Sequence, residues 1–206
     1  MKLTQLFEEK QIIVESPALI DPLDDHYLYD LQANRDFLLK FNKLDLRVLK
    51  KISDTTTLYT AQKRNRTAFA AINHNSNIIT YYMEYETGHH VAIGKYGAQA
   101  FVWADQNDKS VRSLPKTVFF EYALPIVGII ATDSLQTPKG KDFWLKRLKD
   151  AFDKNLYVYY VNIVSDQIKR LNEFSEVKEY DMKYKIWSAS LESTGKLIMI
   201  STHKLI

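Results

Sequence analysis

The 206-residue sequence predicts an α+β fold, with helices packed on a mostly antiparallel, twisted central sheet. Short β-branched and aromatic runs alternate with turn residues between residues 47 and 104, which is typical of antiparallel hairpins. Residues 111–163 then follow a helix, strand, helix, strand pattern. The residues after 165 are predicted to add one more helix and a closing hairpin.

An N-terminal helical arm over residues 1–42 is expected to precede an α+β domain over residues 43–206. Apolar residues recur at helical spacing between Tyr27 and Asn42 and predict the main helix of the arm. We expect the arm to pack on the core or on a partner. The strands predicted next lie at residues 47–53, 58–62, 67–72, 78–86 and 91–104.

The helix that follows the hairpins is predicted to begin at Ser113, which can cap its N-terminus, and Pro115 fits its first turn. Pro125 is expected to end this helix, because proline cannot continue the helical hydrogen-bond ladder. The short apolar run Ile126–Ala131 predicts a strand buried on both faces.

A second helix is predicted from Thr137 and Pro138 to Asn155, followed by the strand Leu156–Val161. Because a helix joins this strand to the one before it, we expect the two strands to be parallel neighbours. The last elements predicted are a helix at Ser165–Phe174 and strands at Lys178–Leu191 and Lys196–Thr202.

Composition excludes several classes of protein. With 28 basic and 25 acidic residues, the net charge of +3 is too small to indicate nucleic-acid binding by itself. The absence of cysteine excludes disulfides, thiolate metal sites and a cysteine nucleophile, and it fits a cytoplasmic protein. No run reaches the roughly 18 apolar residues of a membrane span, so we expect no membrane partner.

The order of elements from about residue 47 to residue 165 resembles the GNAT acyltransferase fold. In that family, meandering strands lead to a helix whose N-terminus holds the pyrophosphate of acyl-CoA, and a strand, a further helix and closing strands follow. By this resemblance, Phe101–Asp105 is the strand before the cofactor loop, Asp108–Ser113 the loop and Leu114–Leu124 the cofactor helix. The segment Asp133–Thr137, with Gly140 and an aromatic pair after it, is similar to a pattern in GNAT-like proteins of bacteriophages.

The resemblance makes the loop residues candidates for cofactor binding, namely Lys109, Ser110, Val111, Arg112 and Ser113. GNAT loops carry glycines, which let backbone N–H groups close on the pyrophosphate at the helix N-terminus. This loop has no glycine, although Lys109 and Arg112 could still attract a phosphate. The sequence therefore predicts lost or unusual use of acyl-CoA and no bound cofactor, with acetyl-CoA as the open alternative.

The same resemblance names Glu84, Glu121 and Tyr160 as catalytic acid–base candidates. Substrate-binding candidates are Asp133, Gln136 and Thr137, since a carboxylate at a strand end beside an amide and a hydroxyl could orient a substrate. In the favoured alternative, Asp133 and Thr137 only end a strand and cap the next helix.

Adjacent His89 and His90 raise the question of a metal site or a general base. Neighbouring residues on a strand point in different directions and rarely bind one metal, so a solvated turn is favoured and no metal is expected. Basic residues at 63–66 and 139–149, together with nearby tyrosines, suggest a nucleic-acid interface less strongly, because acidic residues are interleaved with them.

Three functions follow from these observations. The favoured hypothesis is a GNAT-like protein of a bacteriophage or mobile element that acts mainly as a binding module for a host or phage protein. The alternatives are an N-acyltransferase that moves an acyl group from acyl-CoA to an amine, and a nucleic-acid-binding protein that uses the basic helix. The sequence leaves a homo-oligomer open.

Overall fold

The computed structural model describes residues 28, 30–91, 93–105, 107–132, 138–187 and 195–205. The strands are β1 Leu46–Lys51, β2 Thr56–Lys63, β3 Arg66–Asn73, β4 Ile78–His90, β5 Gly94–Ala104, β6 Ile129–Ala131, β7 Tyr157–Asn162, β8 Gln167–Leu171 and β9 Lys196–Ser201. The helices are α1 Leu31–Phe41, α2 Leu114–Thr117, a π-helical turn Val118–Ala123, α3 Leu124–Val127, α4 Pro138–Asp153 and α5 Phe174–Tyr184.

These elements confirm the predicted α+β class. The strands pair mostly antiparallel, and the pairing of β5 with β6 is parallel. No helix in the described part of the chain is long and apolar enough to cross a membrane. The chain divides into two compact units, and the first contains described residues 28–87 and 100–122, whereas the second contains 88–99 and 123–205.

The first unit is built on the antiparallel order β1-β2-β3-β4. α1 lies against these strands and buries the apolar side chains of Phe37, Leu38 and Phe41. Both phenylalanine rings meet the Tyr82 ring edge-on, with ring centroids 5.1 and 6.1 Å apart. The helix predicted between Tyr27 and Asn42 is therefore confirmed, and its apolar face contributes to the core of this unit.

Asn34 fixes α1 against β4 through a buried polar contact. Its side-chain amide donates to the carbonyl oxygens of Leu28 and Ile79 at 3.1 and 2.9 Å, and its oxygen accepts from the Ile79 N–H at 2.8 Å. Burying an amide without partners is costly, and these three bonds satisfy it. The helix therefore has one defined register along β4.

The second unit has the strand order β5-β6-β9-β7-β8. β5 and β6 pair in parallel at Gly97–Ile130 and Ala98–Ala131, and β9 pairs antiparallel with both β6 and β7. β6 and β7 therefore run in the same direction, as predicted, but the prediction that they are neighbours is wrong. The reason is that β9, from the end of the chain, lies between them and provides both with backbone partners.

α4 confirms the predicted amphipathic helix. Its side chains Trp144, Leu148 and Ala151 are fully buried, at the spacing that the sequence predicts. Asn155 follows the helix with a left-handed φ of 56°, a conformation that asparagine adopts more readily than most residues. The predicted stop at Asn155 is therefore confirmed, whereas Thr137, the predicted start, lies outside the described residues.

Two predictions for the segment after β5 are wrong. The helix does not end at Pro125, because α2 continues through the π-helical turn into α3. A π-helical turn spaces its hydrogen bonds over five residues, so a proline just after it interrupts the regular ladder less than one inside an α-helix. The strand is correspondingly shorter, Ile129–Ala131 rather than Ile126–Ala131.

The helix predicted at Ser165–Phe174 is wrong, because this segment forms a hairpin in which β8 pairs antiparallel with β7. The Asn162 side-chain oxygen accepts from the N–H groups of Val164 and Ser165 at 3.1 and 3.3 Å. Asp166 then adopts a left-handed φ of 53°. An asparagine that bonds the backbone two residues later starts a turn, and this local bond overrides the helical pattern.

The strand predicted at Lys178–Leu191 is also wrong over its described residues, because α5 extends to Tyr184. Tyr180 and Tyr184 are four residues apart and share one helical face. The final strand is confirmed as β9, within one residue of its predicted end.

Candidate functional site

The candidate cofactor loop is closed by its own carboxylate. The Asp108 side chain accepts from the Ser110 N–H at 2.9 Å and from the Ser110 hydroxyl at 2.6 Å. A 3₁₀ turn, Lys109–Val111, follows, and the Val111 side chain is fully buried. An internal anion therefore orders the loop in which the resemblance expects a phosphate.

The next N–H groups of this loop also have acceptors within it. Val111 donates to the Asp108 carbonyl oxygen at 3.4 Å, and Arg112 donates to the Lys109 carbonyl oxygen at 3.5 Å. The side chains of Lys109 and Arg112 are exposed. Two cations thus face solvent beside backbone amides that are already engaged.

The prediction that Ser113 caps the following helix is wrong. Its side chain makes no capping hydrogen bond, and its backbone is already helical, with φ of −85° and ψ of −15°. A capping side chain needs an extended backbone to reach the N–H groups of the first turn. Asp108 has that conformation, with φ of −83° and ψ of 101°, and it provides the cap of this segment.

Glu84 lies in a buried ionic network on β4. One of its oxygens accepts from Arg66 Nη1 at 2.7 Å, and the other accepts from the Tyr82 hydroxyl at 2.7 Å. Arg66 also donates to Glu86 at 3.1 Å, and Asn65 donates to the other Glu86 oxygen at 2.7 Å. The antiparallel pairing of β3 with β4 explains the network, because it sets Arg66 opposite Glu86 and diagonal to Glu84.

This network keeps both oxygens of Glu84 inside the protein and away from a substrate. The residue is 5% exposed, and both of its oxygens face partners in the protein. Burial and the Glu84 carboxylate raise the pKa of Tyr82 well above its usual value, so the phenol stays protonated and keeps donating. Because a general base needs an oxygen within reach of the substrate proton, the geometry favours a structural role for Glu84.

The other two acid–base candidates differ in exposure. Glu121 lies in the first unit, in the π-helical turn, and its side chain is exposed. Tyr160 lies on β7 in the second unit and is fully buried against Tyr180 and Tyr184, with ring centroids 4.9 and 5.0 Å away. Burial raises the pKa of Tyr160, so this phenol carries its proton at neutral pH.

The substrate-binding candidates Asp133, Gln136 and Thr137 lie outside the described residues, and their role stays a prediction. The two histidines are described, and they do not form the expected turn, because β4 extends through His90. Nε2 of His90 lies 3.5 Å from the Asp166 carboxylate. Among the described side chains, no group of three or more is arranged to hold a metal ion.

Two of the basic side chains of helix α4 are paired with acidic side chains, so fewer of its positive charges are available to a nucleic acid than its sequence suggests. Lys141 pairs with Asp181 at 2.6 Å, and Arg147 pairs with Asp150 at 3.1 Å. The tyrosines that were candidates for stacking on bases are mostly core residues, and those with full burial include Tyr81, Tyr82, Tyr85, Tyr159 and Tyr160. Buried rings cannot stack on nucleic-acid bases, so these observations do not favour the nucleic-acid hypothesis.

Sequence reasoning missed a group of side chains on β7, β8, β9 and α5 of the second unit. We define the tyrosine–lysine cluster as Tyr160, Tyr180, Tyr184, Lys169, Lys183 and Lys196. The Tyr160 and Tyr184 rings stack with 18° between their planes, and the Tyr180 ring lies against both. The ammonium groups of Lys169, Lys183 and Lys196 lie 5.1, 5.0 and 5.7 Å from the centre of a tyrosine ring.

The wrong assignments after residue 165 hid this cluster, because they placed Lys169 on a helix and residues 180–184 on a strand, whereas Lys169 lies on a strand and residues 180–184 on a helix. Two sequence signals could have found it. Asn162 indicates the turn before β8, and the four-residue spacing of Tyr180 and Tyr184 indicates one face of α5.

No protein-family model matches the sequence, and no curated protein is similar enough to count as a relative. The GNAT resemblance therefore stays a prediction.

Proposed function

We propose that this chain is a GNAT-like protein of bacteriophage or mobile-element type that acts mainly by binding a host or phage protein. In this proposal the fold has lost the usual way of holding acyl-CoA. The observation that carries the proposal is the hydrogen bonding of the cofactor loop, where the Asp108 carboxylate accepts from the Ser110 N–H and hydroxyl.

Electrostatics explains why this bond matters. A pyrophosphate binds where backbone N–H groups are free and no carboxylate is near. Here an acceptor with a negative charge already occupies the amide of Ser110, so a phosphate would have to displace Asp108 or accept its repulsion. Lys109 and Arg112 provide positive charge, but with the amides of Ser110, Val111 and Arg112 engaged they attract anions with little geometric selectivity.

The order of elements supports the GNAT part of the proposal. Hairpins lead through β5 to a helical segment, and β6, α4, β7 and the closing strand β9 follow. This is the order that the resemblance describes: strands, helix, strand, further helix and closing strands. β5 and β6 are parallel and pair at two positions, Gly97–Ile130 and Ala98–Ala131.

Thermal denaturation with acetyl-CoA and with free CoA tests the loss of cofactor binding. A ligand at a hundred times its Kd adds about 2.7 kcal/mol, which raises Tm by roughly 5 to 10 °C in a chain of this size. We expect no saturable rise with either ligand up to millimolar concentration. A dose-dependent rise with both would contradict the proposal and favour the acyltransferase.

A pair of variants, one in this loop and one just before it, sharpens the test. Asp108→Asn keeps a side-chain acceptor for Ser110 but removes the negative charge, so we expect it to gain weak CoA binding. Asp105→Asn is the matched control, because Asp105 also accepts from a nearby backbone N–H, that of Asn107, at 2.9 Å. Equal behaviour of the two variants would show that the Asp108 charge is not what excludes the phosphate.

Affinity capture tests the binding half of the proposal. The purified chain is used as bait in lysate from its source cells, and any captured protein is purified and titrated against it. We expect at least one direct partner with a measurable Kd. A chain that retains no protein partner, and that binds acyl-CoA instead, would overturn the proposal.

The second candidate is an N-acyltransferase, and one observation favours it. Of the three acid–base candidates, Glu121 is exposed, whereas Glu84 and Tyr160 are buried within the protein. Glu121, which is exposed, is the candidate base whose oxygens are open to solvent. The CoA titration decides between the two functions before any acceptor amine needs to be known.

A further inference from the structure

The outer edge of β8 is a free strand edge within the described part of the chain. β8 pairs with β7 on one side, from Val158–Leu171 to Asn162–Gln167. On its other side, no strand among the described residues pairs with it, and β8 is the last strand in the order of the second unit. Such an edge presents unpaired N–H and C=O groups that another extended chain can bind.

Two cations project from this edge on opposite faces. Lys169 and Arg170 are adjacent in the strand, so their side chains leave it in opposite directions. The Lys169 ammonium lies 5.1 Å from the Tyr180 ring centre, and the Arg170 guanidinium lies 4.9 Å from the Tyr157 ring centre. Each charge is therefore positioned by a ring while its side chain stays exposed.

Contacts between cations and rings are concentrated in this region. Five of them lie within residues 157–196, each with the cation less than 6 Å from a ring centre. Two acidic residues of α5 are already engaged, since Asp181 pairs with Lys141 and Glu176 accepts from the Asn172 N–H. The Lys169 ammonium also has the Tyr180 hydroxyl and the Glu176 carboxylate as neighbours within the chain, and both Lys169 and Arg170 stay exposed, where an external anionic group can reach them.

We infer that the outer edge of β8 is a docking site for an extended, acidic segment of a partner protein. The inference rests on the proposed function and specifies the partner. The segment adds a strand to β8 through backbone hydrogen bonds, and its alternating side chains reach both faces of the sheet. Carboxylates on successive residues then meet Lys169 on one face and Arg170 on the other, which selects acidic partners.

The geometry favours a peptide over a nucleic acid. Single-stranded nucleic acids stack their bases on open aromatic faces, and here cations of the protein already cover rings of Tyr157, Tyr180 and Tyr184. A strand edge also needs a partner backbone with alternating donors and acceptors, which a peptide has and a phosphodiester chain lacks.

Fluorescence anisotropy of the full chain with a labelled peptide tests this inference. The probe is a ten-residue peptide in which pairs of adjacent glutamates alternate with pairs of threonines, so that carboxylates lie on both faces of an added strand, measured at low ionic strength. We expect saturable binding that weakens at least about tenfold in the double variant Lys169→Glu, Arg170→Glu. The control double variant Lys146→Glu, Lys149→Glu makes the same charge change on exposed positions of α4 and should bind like the unaltered chain.

A second probe separates strand pairing from simple charge attraction. The same peptide with a methyl group on every backbone nitrogen keeps all of its carboxylates but has no N–H to donate along either edge, so we expect it to bind at least about tenfold more weakly. Equal binding of the methylated peptide, equal weakening in both double variants, or no binding at millimolar peptide would overturn the docking site. So would a ten-nucleotide thymidine strand that binds as tightly and with the same dependence on Lys169 and Arg170.

These outcomes are separate from those that test the proposed function. A protein partner that is captured equally well by the Lys169→Glu, Arg170→Glu variant would leave the binding function in place and remove the β8 edge from it. Saturable CoA binding would contradict the proposed function whatever the peptide does.

Discussion

The buried network around Glu84 and the tyrosine–lysine cluster use similar side chains in opposite ways. In the network, Arg66 and Glu84 have side chains 18% and 6% exposed, and hydrogen bonds satisfy both oxygens of the carboxylate. In the cluster, Lys169 and Lys183 are exposed and rest over tyrosine rings. In the network, the charged groups are paired with one another inside the protein, and in the cluster the charged groups are accessible to solvent.

The difference separates stability from recognition. A buried pair that loses one member leaves a charge with no compensation, which is strongly destabilising. An exposed cation over a ring adds little to stability, yet its charge stays available to a partner. We therefore expect substitutions in the network to affect folding and substitutions in the cluster to affect binding.

The largest expected effect is that of Arg66→Met. This change leaves Glu84 buried with Tyr82 as its remaining hydrogen-bond partner in the network, and we expect a loss of roughly 3 kcal/mol in the free energy of unfolding. The value is at the low end for a broken buried pair because the Arg66 side chain keeps some exposure. Urea denaturation followed by circular dichroism measures it, with Lys63→Met, an exposed position on β2, as the control.

A loss below about 0.5 kcal/mol for Arg66→Met would contradict the proposed difference between the buried network and the exposed cluster, because ordinary surface ion pairs contribute that little to stability. The double variant Arg66→Met, Glu84→Met then compares the removal of both members of the pair with the removal of one. Replacing both members with apolar side chains of similar size should recover much of the loss, since no buried charge remains.

The sequence predicted the first unit well because its signals are local. Hairpin turns such as Asn73–Asn77 and the apolar spacing of α1 depend on residues close in the chain, and the corresponding elements are confirmed. The network itself could not be predicted, because it depends on the register that sets Arg66 opposite Glu86. Register is fixed by packing across strands and not by the composition of either strand.

The second unit was harder to predict because contacts between residues far apart in the chain determine the order of its strands. The insertion of β9 between β6 and β7 joins residues far apart in the chain. The order of β8 and α5 depends on one asparagine turn at Asn162, which outweighs the helical pattern after it. In the candidate loop, the absence of glycine was readable in the sequence, but the bond from Ser110 to Asp108 needed the structure.

An intermediate loss of stability is expected for Tyr82→Phe, and the size of this loss should depend on pH. The variant loses one hydrogen bond to a charged, buried acceptor, which costs about 2 kcal/mol in the free energy of unfolding at neutral pH. The pKa of Tyr82 is raised in the folded chain, chiefly by burial. Above about pH 10 the unfolded chain releases the phenol proton while the folded chain holds it, so the stability of the unaltered protein falls with rising pH.

Phenylalanine has no such proton, so the difference between the two proteins should narrow as the pH passes about 10. Urea denaturation at several pH values from about 7 to 11 measures the narrowing. Tyr59→Phe is the control, since Tyr59 is half-buried on β2 and lies outside the network. A difference that stays constant across this range would mean that Tyr82 does not hold its proton in the folded chain as the burial indicates.

The smallest expected effect is that of Lys183→Met in the cluster. The Lys183 ammonium lies 5.0 Å from the Tyr184 ring centre on an exposed turn of α5, and exposed contacts of this kind contribute about 0.5 to 1 kcal/mol. Methionine keeps the apolar stem against the ring and removes the charge, so the free energy of unfolding should fall by at most this amount. Lys146→Met on α4 controls for the loss of a surface charge. A loss as large as that of Arg66→Met would show that the cluster stabilises the fold, and it would contradict the division between a stabilising network and an accessible cluster.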